Sequence, residues 1–95
     1  MELTNEVYKK GTSSLAGYRM DYSVKCVDDS VKTITAQVKK LSETDGVNQE
    51  KWVGNCMLDL EANRYVFSFT NSAAVTAQDR AAIFADFEKT IQALV

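Results

Sequence analysis

An α+β fold is what this sequence predicts: a four-stranded antiparallel β-meander with one long C-terminal helix packed across one face. Three observations carry that expectation. Four runs of alternating apolar and polar residues lie between residues 16 and 70, short turn-forming clusters separate them, and residues 76–95 change to a period near 3.6. With 95 residues the chain makes one domain, 1–95, with room for one modest core.

The N-terminal stretch "LTNEVYKK" reads two ways. Leu3 and Val7 are four apart and Gly11 is placed to end a short helix, and a loose strand fits nearly as well. Residues 1–13 are therefore left open, with a short N-terminal helix as one expectation. In "AGYRMDYSVKCV", Tyr18, Met20, Tyr22, Val24 and Cys26 alternate with polar residues, the pattern of a half-buried strand. The turn cluster "DDS" follows, and then "VKTITAQVKKL", whose Ile34, Ala36 and Val38 point one way. A one-residue slip would turn this apolar set to water. The register that avoids the slip pairs Val24 with Ile34, Tyr22 with Ala36 and Met20 with Val38, and sets Asp21 opposite Gln37. It needs an odd loop, most simply Asp28 to Ser30.

Residues 42–50, "SETDGVNQE", read as the longest loop, with Asp45-Gly46 as its turn signal. The third run, "WVGNCMLDL", places Trp52, Gly54, Cys56, Leu58 and Leu60 on one stripe, expected to face the core. "EANR" is a tight turn before the fourth run, "RYVFSFT". Pairing Leu60 with Tyr65 brings Leu58 to Phe67 and Cys56 to Phe69, and places Glu61 across from Arg64. The helix follows, with Thr76 as N-cap, Asp79 three residues on, and Ile83, Phe84, Phe87, Ile91 and Leu94 on one face. Arg80 falls inside that apolar arc. Either the helix overhangs the sheet edge there or the guanidinium reaches an anion.

Function is constrained mainly by what is missing. The chain has no histidine, which removes the usual general base and the commonest metal ligand. It shows no phosphate-binding glycine loop, nucleophile motif or metal-ligand cluster, so the expectation is a non-enzyme with no catalytic residue, metal or cofactor. The net charge of −2, and an outer sheet face expected to lack aromatics, argue against nucleic acid. No apolar run is long enough for a membrane span, and the N-terminus has no signal-peptide core, so a cytoplasmic protein is expected. Cys26 and Cys56, on strands separated by a third, are about 10 Å apart in this scheme and should be free buried thiols.

Two readings of function remain. In the first the chain is a non-catalytic protein–protein interaction module, a homodimer through the outer sheet face or an edge strand, with Val53, Met57 and Val66 in the interface. In the second it binds a small apolar ligand between sheet and helix, with Tyr22, Trp52, Gly54 and Cys56 lining the site.

Overall fold

A computed structural model describes residues 3–70 and 75–95. Five strands and one helix follow in chain order: β1 (Glu6–Leu15), β2 (Tyr18–Val27), β3 (Ser30–Thr44), β4 (Val47–Asp59), β5 (Arg64–Phe69) and α1 (Ala77–Leu94). Among the described residues the strands form one antiparallel sheet in the order β1-β2-β3-β4-β5, a meander with α1 across one face.

The open N-terminal stretch is a strand. β1 pairs with β2 from Glu6↔Val27 to Leu15↔Tyr18, and the Asp28 amide donates to the Asn5 carbonyl just beyond. The physical reason lies in the turn. Gly17 takes φ 80°, so Ala16-Gly17 reverses the chain in two residues. Alternate residues of 6–15 then turn their backbone groups to β2, and this local ladder holds the stretch extended.

The β2–β3 register is the one the apolar alternation demands: Met20↔Val38, Asp21↔Gln37, Tyr22↔Ala36 and Val24↔Ile34. The loop is shorter than three residues. Asp28 and Asp29 both take positive φ in a two-residue turn, and the odd residue appears instead as a bulge where Lys32 has no partner between Val31 and Thr33. The Lys32 carbonyl accepts from the Leu60 amide of the β4–β5 connection.

Residues 42–50 do not form a loop. β3 and β4 run on as a two-stranded ribbon to Thr44↔Val47, closed by Asp45 (φ 52°) and Gly46 (φ 77°). This ribbon accounts for the elongated outline of 56 × 26 × 22 Å. At its base Arg19 binds Glu50 with its two terminal guanidinium nitrogens and reaches Asp21 through Nε at 2.9 Å, while Lys39 meets Asp21 at 3.0 Å. Arg19 first, and Lys39 with it, holds the Asp21 carboxyl below its ordinary range.

The β4–β5 pairing is offset by two residues from the expected one, with Leu58↔Tyr65, Cys56↔Phe67 and Gly54↔Phe69. An even offset keeps every side chain on its expected face. The cause is Asp59, whose carboxylate accepts from the Glu61 and Ala62 amides and opens a four-residue turn ending at Asn63 (φ 50°). Arg64 therefore faces Asp59 instead of Glu61.

The core is the inner face of β2–β4 closed by α1. Met20, Ile34, Ala36, Val38, Cys56, Ile83 and Phe87 are fully inaccessible to water. Burying side chains of the size of Ile83 and Phe87 contributes about 1.5–3 kcal/mol each. Thr76 caps the helix, its hydroxyl accepting from the Asp79 amide at 3.1 Å. Of the expected helix stripe, Ile83, Phe87 and Ile91 are buried and Phe84 partly so, but Leu94 stays 39% exposed. Arg80 turns back, donating to the Val75 carbonyl at 2.7 Å.

Gly54 is a packing requirement. A Cβ there would lie 2.2 Å from the Ser68 carbonyl and 2.7 Å from the Phe69 ring. Gly11 in β1 has nothing within 4 Å of the same position. Gly54→Ala is expected to lower stability by about 1–3 kcal/mol through overpacking. Gly11→Ala is expected to raise it by up to about 1 kcal/mol, since glycine inside a strand loses more backbone entropy on folding. Urea midpoints for the two single variants check both signs.

Candidate functional site

The residues read from sequence as ligand-lining do not converge. Tyr22 and Cys56 are buried on the inner face, and Gly54 is filled by β5. Trp52 stands on the opposite, outer face. The reason is a bulge: β3 and β4 pair as Val38↔Gly54 and then Lys39↔Trp52, leaving Val53 as the extra residue. One extra residue reverses the alternation beyond it. Val53 drops into the core at 1% exposure, and Trp52 is 45% exposed with its indole N–H donating to Gln37 Oε1 at 2.6 Å.

The same bulge rearranges the expected interface patch. Met57 and Val66 do face each other across β4 and β5 on the outer face, half-buried. Val53 is absent from that face, and Trp52 replaces it further along β4. Tyr8, on β1 opposite Lys25, also stands exposed. The outer face thus carries aromatics that its alternation in sequence did not suggest. A signal for the bulge was present all the same, since a glycine inside a strand commonly marks one.

Sequence reasoning missed the polar contacts between sheet and helix. Tyr18 donates to Asp79 Oδ2 and Tyr22 to Asp86 Oδ2, each at 2.8 Å, and Ser13 donates to Asp86 Oδ1 at 3.2 Å. The two tyrosines are four apart on β2, and the two aspartates are two helical turns apart on α1. The tyrosine hydroxyls, carried on a buried face, needed partners; spacing of seven in a helix is the signal that could have supplied them. Burial, with the aspartate beside it, pushes the Tyr18 hydroxyl up to about 12, and Tyr22 rises further for the same leading cause. Burial alone pushes the Cys56 thiol up to about 12. Both cysteines are free and buried.

Two surface features remain. An open cavity of about 230 Å³ lies between β1 and the C-terminal half of α1, with Gly11, Tyr22, Val24, Thr90 and Leu94 around it and Lys9 at its rim. At the other end of the sheet, β5 is an edge strand. Its Tyr65 and Phe67 are 45% and 37% exposed, and Phe67 packs on Phe84 with ring centres 4.4 Å apart. Among the described residues, no three His, Cys, Asp or Glu side chains gather as metal ligands do, and no helix is long and apolar enough to cross a membrane. Comparison with protein-family models, curated proteins and solved structures gave no match.

Trp52 is the sole tryptophan. Its emission is expected to be quenched efficiently by acrylamide in the native protein; weak quenching that becomes strong only in urea would mean a buried indole. A second expectation concerns alkali. A tyrosine or thiol whose pKa is raised by folding is held protonated by the fold. Its stabilising contribution is complete below its unfolded value and is lost as pH climbs through its folded value. With Cys56 shifted from 9.0 to about 12 and Tyr18 from 10.0 to about 12, stability should fall between about pH 9 and 12. Urea midpoints across that range check it, and a flat profile would contradict the assignment.

Proposed function

We propose that the chain is a non-catalytic protein–protein interaction module that associates with itself through the β5 side of its sheet. The observation that carries this reading is the accumulation of accessible apolar groups around an edge that pairs with no further strand among the described residues: Tyr65 and Phe67 on the helix side of β5, Val66 and Met57 on the outer side. Exposed aromatics held on rigid strands lose little conformational entropy on binding, which is why such residues anchor interfaces. The titratable groups of the sheet–helix contact have structural work instead. Tyr18, Tyr22, Asp79 and Asp86 are engaged with one another, and the Arg19–Asp21–Lys39–Glu50 cluster braces the ribbon. Sedimentation velocity and native mass spectrometry over a wide concentration range test the reading. A concentration-dependent dimer of bare chains is expected; protein that stays monomeric throughout would remove self-association.

A second reading is favoured by the cavity between β1 and α1. Its floor of Tyr22 and Val24 and its wall of Leu94 suit a small apolar molecule, and the missing side chain at Gly11 keeps it open. Under this reading Gly11→Leu, which fills the space from the β1 side, abolishes binding of a probe such as octanol followed by ligand-observed NMR. Unchanged binding in that variant would exclude the cavity.

A further inference from the structure

We infer that the second copy docks by direct backbone pairing, β5 to β5 antiparallel, with Phe67 of each chain on the two-fold axis. This rests on the self-association reading above and goes beyond it by naming the contacting atoms and their register.

The backbone comes first. The Thr70 amide donates to the Val53 carbonyl at 2.9 Å. Along an antiparallel strand, backbone groups turn alternately to one neighbour and the other. Even-numbered residues of β5 therefore spend their N–H and C=O groups on β4. Those of Tyr65, Phe67 and Phe69 point away from the sheet, and among the described residues no backbone hydrogen bond reaches them. An unpaired row of this kind is a template for another strand.

The two edges of the sheet differ in how they are guarded. β1 carries Lys9 and Lys10 at its centre, one on each face, and neither is in an ion pair among the described residues. Edge lysines, especially inward-facing ones, are a common obstacle to strand addition. β5 has none of these obstacles. Its six residues, RYVFSF, contain no proline, no lysine and a single charge, Arg64, at one end.

Self-complementarity selects the register. A two-fold axis perpendicular to the sheet keeps both helices on one side, so inner residues must meet inner residues. Centring the pair on Phe67 sets Phe67 against the partner's Phe67, Tyr65 against the partner's Phe69, Val66 against the partner's Ser68, and Arg64 against the partner's Thr70. All outward-pointing residues then fall in hydrogen-bonded pairs, with Cα atoms about 5.5 Å apart. The partly exposed aromatics cover each other, and the charged ends never oppose. One sheet then runs through both chains, and the two Met57–Val66 pairs become neighbours on its outer face.

The test is a charge exchange at wet-face positions that leave the core alone. One form carries Val66→Lys with Ser68→Lys, and the other Val66→Glu with Ser68→Glu. In the inferred register each form opposes like charges in its own dimer and opposite charges in a mixed one. Wild-type dimer, two monomeric forms with native circular dichroism, and a heterodimer on mixing is the expected result. Homodimers of either form, or no recovery on mixing, would overturn the β5 pairing while the wild-type dimer still upholds self-association; a wild-type monomer would overturn both. Amide hydrogen exchange on unmutated protein gives an independent readout. Phe67 and Phe69 should slow as concentration rises, while Tyr8 and Lys10 on the β1 edge should not. Equal slowing at both edges, or none at β5, would contradict the inference.

Discussion

A single extra residue in β4 decides what each face of this protein offers. Side chains along a strand alternate strictly, so the inward position before Gly54 should belong to Trp52. Gly54 leaves no side chain there because β5 crosses within 2.2 Å of where its Cβ would be. Val53 takes the buried place instead, and Trp52 turns outward to bond Gln37. On the other side of β4 the pairing with β5 is unbroken, and the Val53 carbonyl accepts from the Thr70 amide, which ties the end of β5 to the sheet. The burial of Val53 and the outer position of Trp52 both follow from that one insertion.

The helix is located by two kinds of contact acting together. Ile83, Phe87 and Ile91 supply the burial, and burial has little directional preference. Tyr18–Asp79 and Tyr22–Asp86 supply direction, because a hydrogen bond to a carboxylate holds only within a narrow geometry. Two such bonds at matched spacing along β2 and α1 allow a single axial position for the helix. Tyr22 also stacks with Phe87 at 6.1 Å, joining the apolar and polar contacts through one ring.

The surfaces follow from where this packing stops. α1 covers β2 to β4 and leaves both sheet edges at its margins. At β1 the margin is a gap over Gly11 with lysines beside it. At β5 it is a row of aromatics continuous with Phe84, on a strand that pairs only with β4 among the described residues. The former suits a small molecule and the latter another strand.

Sequence by itself determined the α+β class, the strands from Tyr18 onward, the β2–β3 register, the free thiols and the Thr76 cap, because each is a local or period-two property. Side-chain alternation names a face whenever the spacing is uninterrupted. Only tertiary structure decided the rest. β1 is a strand because β2 is beside it. Residues 42–50 form a ribbon because two strands already in register carry their ladder past the body. Trp52 is outside because Val53 is an extra residue opposite β3, and Leu94 is exposed because it borders the open cavity between β1 and the helix. Of the expected site residues, Tyr22, Cys56, Met57 and Val66 took the faces their positions implied, while Trp52 and Val53 exchanged theirs. That exchange turns on one extra residue in the β3–β4 pairing; Gly54 is a local hint of a bulge, but which side chains it turns over is set by the pairing with β3.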